Sequence, residues 1–282
     1  MGIQHQTRTV LLILLICFLS TCNHTYDTDL LRAANAGDSQ SVAFGLEHGA
    51  DVNLKDKDGN TLLILASGSG YEDLVELLLN NRANVHAKNK FGETALSVVS
   101  YKGYGAIAKI LIENKADVNT VNQDEITPLM YSARYGFEDI VEILLKHHAV
   151  VDAISKEGIT ALVYACMSDH FEAARLLVEH KANVNFRIHD DDTLLILVAI
   201  KGNTDIAELL IENGALVNDK SKYSDTALMY ACRNRHLKMV ELLLDHHAAI
   251  NAVDSNNETA LTHAIRTEEK EIIDLLIASG AK

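Results

Sequence analysis

The chain is short of positive charge, aromatic rings, proline and cysteine, and each shortage narrows what it can be. Its 282 residues hold 25 Lys and Arg against 39 Asp and Glu, a net charge of −14. A surface of that sign repels phosphate backbones, which argues against nucleic acid as a partner. No Ser-His-Asp order, phosphate-cradling glycine loop or paired-carboxylate site stands out, so no catalytic residue is assigned, and neither a cofactor nor enzymatic activity is expected. Proline occurs once, at Pro128, and aromatics make up 5% of the chain. The four cysteines are Cys17, Cys22, Cys166 and Cys232.

What the chain does have is a period. Thr28, Thr61, Thr94, Thr127, Thr160, Thr193, Thr226 and Thr259 recur every 33 residues, and each is followed two residues later by Leu. Self-similarity of that regularity is structural, and length then counts modules instead of domains. Eight repeat units fill residues 28–282. Cys166 and Cys232 stand six residues after their threonines, two periods apart. If helices stack about 8–10 Å per repeat, these thiols lie roughly 16–20 Å apart, beyond disulfide reach. They read as small buried residues.

Residues 1–27 stand outside the period. Arg8 is the only basic residue before position 22, no acid occurs there, and Val10 to Leu19 is an unbroken apolar run. As a helix that run spans about 15 Å, half of a hydrocarbon core, too little to cross a bilayer. It reads as the apolar region of an export signal over residues 1–21, with a short linker over 22–27. A helix packed on the first unit is the competing reading, but the run lacks the polar face such a helix needs. Leu19-Ser20-Thr21-Cys22 resembles the lipobox of bacterial lipoproteins, with Thr21 where that family prefers a smaller residue. The resemblance implies lipidation of Cys22 and membrane association only through that anchor, in the periplasm or at the outer membrane. Cleavage without lipidation, leaving a periplasmic or secreted protein, is the alternative. Without the leader, 24 basic residues face 39 acidic ones, a net charge of −15.

One unit can be read residue by residue. Thr127 suits a helix N-cap and Pro128 the first helical position, where a missing N–H costs nothing. Gly136 suits the left-handed residue that ends this short helix. Ile140, Val141, Leu144 and Leu145 then recur on one stripe of a second helix. Asp117-Val118-Asn119 and Asp51-Val52-Asn53 are polar turn formers between units.

This pattern resembles the ankyrin repeat, over residues 28–282. Thr61-Leu62-Leu63-Ile64-Leu65-Ala66 and Thr226-Ala227-Leu228-Met229-Tyr230-Ala231 follow the family's T-P-L-H-x-A motif, and Gly49-Ala50-Asp51-Val52-Asn53 its terminal segment. The resemblance implies an all-α solenoid of about eight helix-turn-helix units with projecting β-turn loops, acting as a monomeric, non-enzymatic binder of proteins. Two departures are systematic. No unit has His after the Leu, and only Pro128 fills the proline position. The helix-ending glycine survives as Gly49, Gly214 and Gly280 and is replaced by Arg82, Lys115, His148, Lys181 and His247, turns expected to be strained or reshaped. The final helix, opening Glu268-Glu269-Lys270-Glu271, is more polar than its equivalents, as an end cap requires.

Thirteen histidines invite a metal reading. His48, His147, His180 and His246, however, share one register position with Asn81, Asn114 and Asn213. A helix C-terminus explains that sharing better than ligation, and no metal site is assigned. The run Asp190-Asp191-Asp192 lacks the alternating ligands and glycine of a calcium loop and reads as a solvated turn. The ankyrin resemblance places a partner along the concave side, on loop residues just before the threonine and on first-helix residues seven and eight after it. Those positions hold Phe91, Glu93 and Tyr101, then Ile126, Arg134 and Tyr135, then Ile159, Met167, Tyr223 and Arg233. Tyr, Arg and Met concentrate interface energy, so this strip is the candidate partner-binding surface. An inhibitor or immunity-type role toward a basic partner fits the acidic charge. A secreted effector acting on a host protein is the alternative, and a peroxide-defence role for Cys166 or Cys232 is a third.

Overall fold

A computed structural model of the chain describes residues 27–188 and 191–282. The leader, Cys22, most of the linker and Asp190 lie outside the described residues. Two compact bodies divide the chain between Gln123 and Asp124. The first contains α1 (27–36), α2 (Ser39–Glu47), α3 (Leu62–Ser69), α4 (Glu72–Asn80), α5 (Ala95–Lys102) and α6 (Gly105–Glu113). The second contains α7 (Pro128–Tyr135), α8 (Glu138–Lys146), α9 (Ala161–Met167), α10 (Phe171–Glu179), α11 (Leu194–Lys201), α12 (Thr204–Glu212), α13 (Ala227–Arg233), α14 (Leu237–Asp245), α15 (Ala260–Thr267) and α16 (Lys270–Ala278).

Within each body the odd and even helices form separate layers. In the first, α3 packs on α5, while α2, α4 and α6 line up behind them. In the second, α7, α9, α11, α13 and α15 make one layer and the even helices the other, each odd helix also packing on the even helix that follows it. Among the described residues no helix is long and apolar enough to cross a membrane.

The threonine period is a capping period. Thr61, Thr94, Thr127, Thr160, Thr193, Thr226 and Thr259 are all N-caps, each hydroxyl accepting from the backbone N–H three residues on. Such a cap contributes about 0.5–2 kcal/mol by satisfying an otherwise orphaned donor. At Thr94 and Thr259 the bond is reciprocated by Ser97 and Thr262. Pro128 takes the first helical position as expected. Thr28 departs from the pattern, lying inside α1 instead of ahead of it. The expected stripe of α8 is buried at Ile140, Val141, Leu144 and Leu145.

Left-handed residues end the helices. Gly136, at φ 71°, closes α7, and a Cβ there would stand 2.5 Å from Nδ1 of His170 in the next unit. Backbone conformation and ring proximity both demand glycine at this point. Arg82, Lys115, His148, Lys181 and His247 keep the left-handed turn, at φ 61° to 69°. The amide after Arg82 still closes on Leu78 O, and that after Lys115 on Leu111 O. These turns are therefore strained and not reshaped. Glu268 is itself the left-handed cap of α15, so the last helix begins at Lys270 and not at Glu268.

The Asn of the terminal motif ties neighbouring loops. Asn53 Oδ1 accepts from Asn84 N–H at 2.7 Å, and Asn185, Asn218 and Asn251 repeat this bond to Leu216, Ala249 and Lys282. The projecting loops are turns, with isolated antiparallel bridges at Lys55–Thr61, Arg187–Thr193 and Lys220–Thr226.

Candidate functional site

In the last two units the loop residue before the threonine and the residue seven after it meet across the first-helix face. Arg233 donates to Asp225 at 2.8 Å, and Arg266 pairs with Glu258 in the next unit. In those units the register positions that the ankyrin resemblance singles out therefore share one surface.

In the first body, Phe91 and Tyr101 are exposed, with the Lys102 ammonium 4.8 Å from the Tyr101 ring centroid. Glu93 is half-buried and accepts from Asn122 Nδ2 at 2.8 Å. Its carboxylate serves the loop.

The second body gathers the rest. The Arg134 guanidinium lies 5.9 Å from the ring of Tyr135 and 5.4 Å from that of Tyr164. Tyr135, Met167 and Tyr223 are exposed, and Ile126 is half-buried. Ile159 is buried and offers a partner little surface. Arg233, besides its bond to Asp225, sits 5.0 Å from the ring of Tyr230. It is engaged at once by an acid and a ring.

Sequence reasoning missed the residues four positions after the threonine. That register holds Leu65, Val98, Tyr131, Tyr164, Leu197, Tyr230 and His263. His263 is the odd member, and its imidazole is 3% exposed. Its Nε2 lies 3.1 Å from Asp254 Oδ2 and 3.3 Å from Arg233 Nη2. Asp225, Asp254 and His263 bring one ligand-type atom each to within 4.8 Å of one another. No metal-ligand spacing in the sequence announces this group, because stacking of the last two units assembles it. The signal that could have found it was a histidine in a register that is otherwise apolar or aromatic from the second unit onward.

Charge compensation shapes this cluster. Burial would raise the Asp254 carboxyl, but N–H donors from Glu258 and Asn256, with His263, outweigh it and hold the group below its ordinary value. Arg266 does the same for Glu258. Burial, aided by the charges of Asp225 and Asp192, pushes the Tyr230 phenol up. Arg233 supplies positive charge against Asp225, so the two facing aspartates are not left to repel each other.

The remaining chemistry-bearing residues have structural tasks. His48, His147, His180 and His246 are helix C-caps. Nδ1 of His48 and of His180 reaches the carbonyl four residues back at 2.7 and 2.9 Å, as the amides of Asn81, Asn114 and Asn213 do elsewhere. Cys166 and Cys232 are free and buried, and burial pushes both thiols up to about 12. A thiol so protonated is a poor nucleophile.

Threonine-capped helix pairs stacked in two layers, with their buried reactive groups engaged, define a helical repeat scaffold. A family model of ankyrin repeats in three copies matches residues 30–122, 96–188 and 194–282. The chain belongs to the ankyrin-repeat family, whose repeats serve as protein–protein interaction scaffolds. No curated protein matches it.

Proposed function

We propose that the protein is an exported, non-enzymatic scaffold that holds one protein partner on the loop and first-helix face of its second body. The observation that carries this reading is the display of Tyr135, Met167 and Tyr223, with Arg134 against the Tyr135 ring, on an otherwise acidic chain. The aromatic rings give contact area at low entropic cost, the thioether of Met167 adapts to fill gaps, and the capped helices beneath hold them in place. Replacing Tyr135, Met167 and Tyr223 together by Ala should lower capture of the partner by the full-length chain at least tenfold, with the circular dichroism melt unchanged. Capture at the wild-type level would reject this surface.

Export and tethering rest on Val10 to Leu19 and on Leu19-Ser20-Thr21-Cys22. Two acyl chains on Cys22 would hold the array at a membrane, each buried methylene contributing about 0.8 kcal/mol. There an acidic chain suits an inhibitory or immunity-type role against a partner with basic surface. Palmitate should label the wild type and not Cys22→Ala, and the label should follow the membrane fraction. Unlabelled, soluble protein in the culture medium would favour a secreted effector instead.

A further inference from the structure

The seventh unit shows how this scaffold seats a carboxylate. Arg233 stands seven residues after its threonine, and Asp225 one residue before it. The Asp225 oxygen accepts from Arg233 Nη2 at 2.8 Å, and the same nitrogen lies 3.3 Å from the ring of His263, four residues after the next threonine. Asp225 is 5% exposed, so its charge is kept from water by the guanidinium beside it.

The fourth and fifth units repeat this frame without the acid. Arg134 occupies the register of Arg233, and Tyr164 in the following unit occupies that of His263. The arginine again lies against the ring, 5.4 Å from its centroid. Ile126 stands where Asp225 stands. Among the described residues Arg134 makes no ion pair. The Tyr164 hydroxyl, on a side chain 4% exposed, has no hydrogen-bond partner there either. A buried hydroxyl in that condition is rare in folded proteins, and a guanidinium stacked on a ring keeps its fork of N–H donors for a carboxylate.

We infer that Arg134 and Tyr164 form a receiving site for one carboxylate, the Asp or Glu side chain of the bound protein. The inference rests on the scaffold function proposed above and gives that surface a chemical preference. A carboxylate suits the site because the fold already pairs one with the equivalent arginine. A phosphate would bring more negative charge to a chain that carries a large excess of it. A partner with a basic surface that offers one acid at this point satisfies both the general charge and the local one.

Sodium acetate is the probe, titrated into the full-length chain against sodium chloride at equal ionic strength, with the backbone amide resonances of Tyr135 and Tyr164, the residues beside the guanidinium, followed by NMR. A saturable shift is expected, lost in Arg134→Gln and weakened severalfold in Tyr164→Phe. Ile126→Asp, which places an internal acid where the seventh unit has one, should weaken acetate binding at least tenfold. Absence of a saturable shift in the wild type, or the same shift in Arg134→Gln, overturns the site. Arg134 is exposed, so that comparison stands even if Ile126→Asp does not fold. The two readings fail separately. Partner capture that survives the Tyr135, Met167 and Tyr223 substitution removes the scaffold surface. Capture that falls in that variant but not in Arg134→Gln removes the carboxylate site alone.

Discussion

At the scale of the residue, the helix-ending position shows how much an array tolerates. Lys115 holds φ at 69° where the ankyrin pattern has glycine. A non-glycine residue there costs about 1–2 kcal/mol, while a cation at a helix C-terminus recovers about 0.3–1 kcal/mol. Glycine also adds freedom to the unfolded chain, which takes back part of the gain. Lys115→Gly should therefore stabilise by only about 0.5 kcal/mol, read as a rise in the urea midpoint. A lower midpoint would mean that the lysine makes a contact worth more than the strain. This strain was legible in the sequence, because the period locates the turn and the residue type supplies the penalty. The engagement of Arg233 by His263 was not, since it depends on which side chain of the next unit arrives beside it.

At the scale of the element, each even helix buries an apolar stripe against its neighbours. Leu144 is fully buried in α8, and Leu144→Ala should cost about 2–5 kcal/mol through lost burial and the cavity left behind. A loss under about 1 kcal/mol in chemical denaturation would show that the stripe was misplaced. The junction of α13 and α15 adds a pH dependence. Asp254 and Glu258 have carboxyls held below their ordinary 3.8 and 4.5. Between folded and ordinary values the unfolded chain binds more protons, so stability is fully present above about pH 5 and falls as acid is added. The thermal midpoint should drop below that pH, and Asp254→Asn should flatten the drop. An equally steep profile in the variant would mean that other carboxylates set it. The stripe could be read from its spacing, as Ile140, Val141, Leu144 and Leu145 show. The Asp225, Asp254 and His263 group could not, because its members come from two units whose approach no local pattern specifies.

At the scale of the molecule, protection should be graded along the chain. Helix α8 buries Ile140, Val141, Leu144 and Leu145, whereas α16 buries only Ile272 and Leu276. Local opening is easiest where few apolar contacts must be broken, so amides of α16 should exchange faster than those of α8 or α10 by mass spectrometry. Equal protection in α16 and α10 would show that the number of buried apolar residues does not set local stability here. The side-chain bonds that link loops and helices of neighbouring units have short reach. Asn89 to Asn60 spans 29 positions, Asn84 to Asn53 spans 31 and His236 to the Ile200 carbonyl 36. Fastenings of that kind act as the teeth of a zip. A pore or protease gripping the C-terminus would peel the chain one repeat at a time, with each tug opposed by a single junction and not by the whole.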